Sequence, residues 1–189
     1  MSKLEQTKNT LNTILEHYKG FWAVAGGWAI DLYLGEVTRK HKDIEVAVWR
    51  DEQHFLNSCF ASWNGKYLIK GNALEWNAED KLELPIHELH FSKGDEEIEV
   101  LLNERKNGNW VFRRDQTITY PENKFYQTTT SGIKILAPEV VLLYKAKDPK
   151  DHDTQDLHNA LVKMTSEQKL WLHDSISKMF PQHTWLSFI

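Results

Sequence analysis

Several things are scarce in this chain of 189 residues. There is one cysteine, Cys59, so no disulfide can form within the chain, and the pattern fits a reducing compartment. There is no long apolar run: the longest mostly apolar stretch, Phe21 to Ile30, carries two glycines and reaches about half a membrane span. The opening residues, Met1 to Lys8, lack the apolar segment of a secretory signal. A cytoplasmic protein with no membrane partner is expected. Basic residues are not in excess, with 23 Lys and Arg against 27 Asp and Glu and a net charge of −4. That balance argues against a nucleic-acid partner held by bulk charge. With 9 glycines and 5 prolines the chain is neither collagen-like nor of low complexity. The rest is average globular composition, 41% apolar and 26% charged, in a chain long enough to bury roughly 70% of its unfolded surface.

Periodicity then divides the chain. Ser2-Lys3-Leu4-Glu5 has capping-box spacing, and Leu4, Leu11, Ile14, Leu15 and Tyr18 recur at helical intervals before Gly20. Phe21 to Ala25 reads as a buried strand, Trp28 to Leu34 as a short helix, and Glu36 to Lys42 as a basic loop. Ile44, Val46 and Val48 alternate with Glu45, Ala47 and Trp49, a strand signal, and Asp51 to Phe60 reads as helical. The middle is β-rich, with strands expected at Tyr67–Ile69, Ile86–Phe91 and Ile98–Leu102. Lys93-Gly94-Asp95 joins the last two as a hairpin, and further strands are expected near Trp110–Phe112, Thr117–Tyr120 and Gly132–Leu136. After Pro138 helices take over: Pro138 to about Lys147, Thr154 to Lys163, and a third opened by the capping box Thr165-Ser166-Glu167-Gln168. The expected organisation is an α/β core over residues 1–136 and a helical segment over 137–189.

Chemistry concentrates near the first strand. Gly26-Gly27 follows a strand and opens a helix, where backbone N–H groups favour anions and glycines let a phosphate approach. Alone, such a pair is more often a tight turn. Asp43 and Glu45 flank Ile44 on a strand, which puts both carboxylates on one face with Cα atoms about 7 Å apart. Two acids this close repel unless a cation lies between them, and paired hard cations serve in-line displacement at phosphorus. Alone, Asp-x-Glu is more often a solvated strand face. On the later strand Glu97, Glu99 and Leu101 point away from Ile98, Val100 and Leu102, and Glu99, flanked by apolar residues, is the third candidate acid. Arg39 can fork onto a phosphate or onto a carboxylate, and His41 can bond a phosphate or orient its loop.

Together these residues match a known pattern. Gly26-Gly27-Trp28-Ala29-Ile30-Asp31, then Gly35, Thr38-Arg39, His41 and Asp43-Ile44-Glu45, resemble the signature of nucleotidyltransferases of the polymerase-β-like superfamily. The nearest branch is that of the aminoglycoside 2″-adenylyltransferases and lincosamide nucleotidyltransferases. The strong part covers residues 21–50, with weaker similarity through Leu84–Arg114 and Pro138–Asp156. The resemblance implies an α+β fold, a mixed β-sheet with helices packed on one side and a helical C-terminal segment. It implies ATP or another nucleoside triphosphate as co-substrate and Mg²⁺ or Mn²⁺ as cofactor. It implies attack by an acceptor hydroxyl on the α-phosphate, with pyrophosphate leaving. Carried over by position, Asp43, Glu45 and Glu99 hold metal, Gly26 and Gly27 cradle the triphosphate, and Arg39, His41 and Lys145 bind it. Asp153 or Asp156 orients Lys145 or meets the acceptor. Many members have aspartate where this chain has Glu45 and Glu99.

Other constellations are weaker. His87-Glu88-Leu89-His90 is one residue short of the His-Glu-x-x-His zinc motif, and on a strand its histidines face opposite sides. Cys59 lacks an activating signature. Trp76 and Trp110 lie in polar context, suited to stacking on a base or ring. Acidic residues Glu75, Glu79, Asp80 and Glu83 suit a cationic acceptor. The leading expectation is transfer of AMP to a small hydroxyl-bearing acceptor such as an aminoglycoside or lincosamide. The alternatives are the same transfer to a protein or tRNA, with Arg105, Lys106, Arg113 and Arg114 forming a groove, or a non-catalytic nucleotide-binding protein. The sequence sets no oligomeric state.

Overall fold

A computed structural model describes the backbone of residues 3–69 and 71–189 and the side chains from residue 7 onward, Lys70 excepted. The N-terminal capping box begins at Ser2, outside the described residues. Chain order gives α1 (Lys3–Leu15), β1 (Trp22–Val24), α2 (Gly26–Leu34), β2 (Ile44–Trp49), a 3-10 helix (Arg50–Phe55), α3 (Leu56–Phe60), β3 (Asn64–Ile69) and β4 (Asn72–Glu75). The β-rich middle follows as β5 (Glu88–Lys93), β6 (Glu96–Lys106), β7 (Asn109–Val111), β8 (Thr119–Pro121), α4 (Glu122–Phe125), β9 (Tyr126–Thr128) and β10 (Lys134–Leu136). The C-terminal helices are α5 (Pro138–Lys145), α6 (Asp151–Leu161) and α7 (Ser166–Met179), and a 3-10 turn (Thr184–Ser187) closes the chain.

The sheet runs β4-β3-β5-β6-β2-β1-β10-β9, and β7 and β8 extend from the far end of β6. It is mixed: β2 lies parallel to β6 and β1 parallel to β10, while the remaining pairs are antiparallel. The central strands carry the β-branched residues that suit a pleated, buried surface, and Val46, Val48, Val100 and Ile98 are essentially inaccessible. On that face Phe91 of β5 stacks on Phe60 of α3, with centroids 3.9 Å apart. The opposite face, bearing Glu45 and Glu99, meets the C-terminal helices. Helices α2, α5, α6 and α7 form one connected layer, α2 touching α5 and α6 and α5 touching α7.

Local signals explain the helix ends. Gly35 terminates α2 with φ +82°, a left-handed conformation that glycine adopts without strain. Pro138 occupies the first turn of α5, and Thr165 and Gln168 cap α7 reciprocally. Glu139 is buried in that layer because Tyr120 Oη and Gln168 Nε2 both donate to it at 2.8 Å.

Several segments differ from expectation, among them α4 and β9, which the sequence does not mark. Asp51–Phe60 is not one helix but a 3-10 helix followed by the short α3. Inward-turned Arg50 and Gln53 break the regular pattern by donating to Leu82 O at 3.0 and 3.2 Å, and Gln53 Oε1 accepts from Leu82 N at 2.8 Å. Strand β4 carries no sequence signal because all four of its residues are exposed, and it exists only as the pairing partner of β3.

Candidate active site

The glycine turn is shaped by what sits over it. Ala25 N donates to Glu45 O at 2.8 Å, joining β1 to β2, and α2 starts at Gly26 with φ +58°. A Cβ on Gly26 would fall inside the Glu45 carboxylate, and one on Gly27 would overlap the Arg39 guanidinium and the His41 ring. Only glycines leave room for these three side chains.

The basic loop is latched to α2. Asp31, fully buried, accepts from Thr38 Oγ1 at 2.6 Å and Thr38 N at 3.1 Å, and its second oxygen lies 2.5 Å from His41 Nε2. Burial opposes ionisation of Asp31, but the hydrogen bonds from His41 and Thr38 outweigh it and hold its carboxyl below the usual range. His41 also packs on Trp28, with centroids 4.5 Å apart. His41 Nε2 is therefore engaged in the latch.

A second latch crosses the molecule. Arg39 Nε and Nη2 fork onto both oxygens of Asp156 at 2.9 and 2.8 Å. Lys145 Nζ pairs with Asp153 and lies 3.3 Å from Asp156 Oδ2. Asp156 of α6, fully buried, thus holds Arg39 and Lys145 side by side. Lys145 and the backbone N–H of Lys150 lower the Asp153 carboxyl against the opposing effect of burial.

The acids line up across strands. Glu45 on β2 and Glu99 on β6 are direct register partners, and Asp43 stands just ahead of β2. Burial, then the charge of Glu99, pushes the Glu45 carboxyl up to about 7, with Lys145 opposing. Burial, then Glu88, also raises Glu99. A cleft of about 740 Å³ opens over these groups, and Gly27, Arg39, His41, Asp43, Glu45, Glu99 and Lys145 all line it. Gly26 lies behind Glu45, in a smaller adjoining pocket with Glu45 and Lys145.

Further cations line the cleft, from the basic loop, from the segment between α5 and α6, and from Arg114. Lys40, Lys42, Lys147, Lys150 and Arg114 line the cleft with Tyr144. Arg114 donates to Tyr144 O at 2.7 Å, and its guanidinium lies over the Tyr144 ring at 5.4 Å. Burial and neighbouring Arg113 lower its affinity for the proton, and it forms no ion pair with a carboxylate among the described residues. The stacking roles expected of two tryptophans are corrected. Trp110 is fully inaccessible, stacked on Phe125 in the core, and Trp76 packs edge-on against Phe91. Glu75, Glu79, Asp80 and Glu83 are absent from the cleft lining, being carried away on β4 and the loop after it.

With this geometry in place, a sequence profile of the aminoglycoside-2″-adenylyltransferase family matches residues 9–160. The chain belongs to that family. It is thus a nucleotidyltransferase by membership. No curated protein sequence matches it. Among solved structures it resembles ANT(2″)-Ia in complex with adenylyl-2″-tobramycin, at 16% identity and a TM-score of 0.63, over 94% of this chain and 99% of that one. It also resembles the lincosamide antibiotic adenylyltransferase LnuA bound to lincomycin, at 16% identity and a TM-score of 0.60, over 83% and 96% of the two chains. At these identities the likeness establishes the fold: a mixed sheet with a helical C-terminal segment. No helix among the described residues is long and apolar enough to cross a membrane.

Proposed function

We propose that this protein moves AMP from ATP to a hydroxyl of a small antibiotic-like acceptor, of the aminoglycoside or lincosamide kind, and releases pyrophosphate. The observation that carries this reading is the cross-strand pair Glu45–Glu99, two crowded and partly desolvated carboxylates in one cleft with several cations. The donors are all oxygens, which suits Mg²⁺ or Mn²⁺, and Asp43, Glu45 and Glu99 are the residues that would hold it. Such a cation, when bound, neutralises charge on the phosphates and on the leaving pyrophosphate.

The remaining chemistry belongs to the chain. Lys40, Lys42, Lys147, Lys150 and Arg114 bind the triphosphate as a diffuse cationic wall. Arg39 and Lys145, fixed by Asp156, place two charges that need little reorganisation. Gly27 and His41 shape the loop that carries Arg39. Glu99, at the cleft and with a raised carboxyl, accepts the proton of the attacking hydroxyl as the new O–P bond forms and the bond to pyrophosphate breaks. The acids come from residues 1–136 and Lys145, Lys147 and Lys150 from 137–189, so the reacting groups meet between the two segments.

The test is transfer from ATP labelled at the α-phosphate, with tobramycin or lincomycin as acceptor and Mg²⁺ present. Acceptor-dependent pyrophosphate release and a labelled acceptor are expected. Asp43→Asn should lower the rate by about 10²-fold or more at unchanged thermal stability. Full transfer by that variant, or label appearing on neither acceptor, overturns the reading.

A further inference from the structure

Beside the cleft, on the same sheet face, three side chains converge that the transfer reaction does not need as a set. Strands β5 and β6 are joined through Gly94-Asp95, with Lys93 opposite Glu96. That register sets His90 directly opposite Glu99. Alternation along β5 puts Glu88 on the same face as His90. His90 Nε2 lies 2.6 Å from Glu88 Oε1, and His90 Nδ1 lies 3.4 Å from Glu99 Oε1. One ligand atom from each of Glu88, His90 and Glu99 falls within 4.8 Å of the other two.

Two features set this trio apart from an ordinary ion-paired cluster. The Nε2 atom of His90 is buried, yet it makes no hydrogen bond to any described residue. The nearby Glu88 oxygen is close but out of line with the ring N–H direction, so the nitrogen is left without a directed partner. The second feature is the donor set. One imidazole with two carboxylates is a mixed N/O set, which suits first-row transition ions, whereas Mg²⁺ keeps its water and takes oxygen ligands. Ligand atoms on one Zn²⁺ stand roughly 3–4 Å apart, given bonds of about 2.0–2.2 Å, so modest side-chain rotation closes the trio on one ion.

We propose that Glu88, His90 and Glu99 form a binding site for a zinc-class divalent transition-metal ion, separate from the triphosphate site and sharing only Glu99 with it. The His87-Glu88-Leu89-His90 segment thus contributes one histidine, not two, because β6 supplies the third ligand across the ladder. His87 is not one of the three: its Nδ1 lies 3.0 Å from Pro85 O, and its Nε2 lies 3.9 Å from the second Glu88 oxygen. The shared Glu99 gives the site a consequence. An ion bound there occupies the carboxylate that the transfer reaction uses, so zinc-class ions inhibit transfer while Mg²⁺ supports it.

The test uses the full chain, nucleotide-free, titrated with Co²⁺ and followed by its visible absorption. One equivalent should bind, be displaced by Zn²⁺, and survive about a hundred-fold excess of Mg²⁺. His90→Ala and Glu88→Gln, both at partly exposed positions, should each weaken Co²⁺ binding by about tenfold or more with circular dichroism unchanged. Asp43→Asn should bind Co²⁺ as the wild type does, within about threefold, even while it loses transfer. The proposal is overturned if no Co²⁺ spectrum appears, or if His90→Ala and Glu88→Gln bind as tightly as wild type, which would leave the ion on other histidines. It is equally overturned if Asp43→Asn abolishes binding, since the ion would then belong to the triphosphate site. Loss of transfer without loss of Co²⁺ binding, or the reverse, separates the two readings.

Discussion

Glu45 should act as a pH-dependent burden on the metal-free protein, and Glu45→Gln measures it. Its carboxyl is pushed from 4.5 up to about 7, first by burial and then by Glu99. In the unfolded chain it ionises near 4.5, while the folded protein keeps it neutral until about 7. Between those values the unfolded state gains from ionisation and the folded state does not, so stability falls as pH rises through that window and then levels off. The full difference corresponds to about 3 kcal/mol. Glutamine has nearly the same shape and no charge. Below about pH 4.5 the two proteins should therefore melt together. Above pH 7 the variant should be more stable by about 3 kcal/mol, roughly 6–12 °C in Tm for a domain of this length. The assay is thermal unfolding with a chelator present, from pH 4.5 to 8.5. Equal melting temperatures across that range would refute the burial and crowding of the Glu45 carboxyl, and with it the main reason to place a cation there. Added Mg²⁺ with ATP should raise the wild-type Tm and leave Glu45→Gln little changed, because only the charged side chain rewards the ion.

Two further perturbations probe the framework around the acids. Asp156→Ala strips both Arg39 and Lys145 of their buried partner and should lower stability by about 3–5 kcal/mol, read from the urea midpoint; a loss under about 1 kcal/mol would show that the bridge is not formed in solution. Gly26→Ala meets φ +58° and the Glu45 carboxylate at once. It should cost about 2 kcal/mol or more and flatten the pH dependence described for Glu45, since the displaced carboxylate moves toward water.

Much of the core was legible because its signals are local. The strand Phe21–Ala25, the glycine turn, the alternating Ile44–Trp49 and the capping box at Thr165 each depend on neighbours within a few residues, and each stands in the fold with small shifts of boundary. Alternation alone turned Glu99 away from Ile98 and Val100. What alternation cannot supply is that β2 lies parallel to β6, a pairing across some 50 residues that makes Glu45 and Glu99 partners. The resemblance offered Asp156 as a partner of Lys145, but its bridge to Arg39 was hidden for the same reason, since Arg39 is 117 residues away. Strand β4 left no trace because it buries nothing. The Glu88–His90–Glu99 trio was legible in principle: the hairpin turn fixes its register, and a carboxylate across the ladder stands where the zinc motif has its second histidine.

The glutamate at 45 acquires a physical meaning from the glycine turn. Glutamate places its carboxylate about one bond further from the strand than aspartate would. At position 45 that reach carries the carboxylate over the Cα of Gly26, into space that any side chain there would fill. Gly26 is therefore needed by the acid of this chain itself, before any phosphate is considered. Gly27 plays the same part for Arg39 and His41. The turn, the latched loop and the acid on β2 thus form one interlocked unit, in which the longer acid is matched by an absent side chain opposite it. An isolated Asp-to-Glu exchange in such a site would overfill it; here the space is provided, and Lys145 on α5 stands close enough to oppose the burial of the charge. The longer side chain at position 45 is thus an accommodated feature of the cleft.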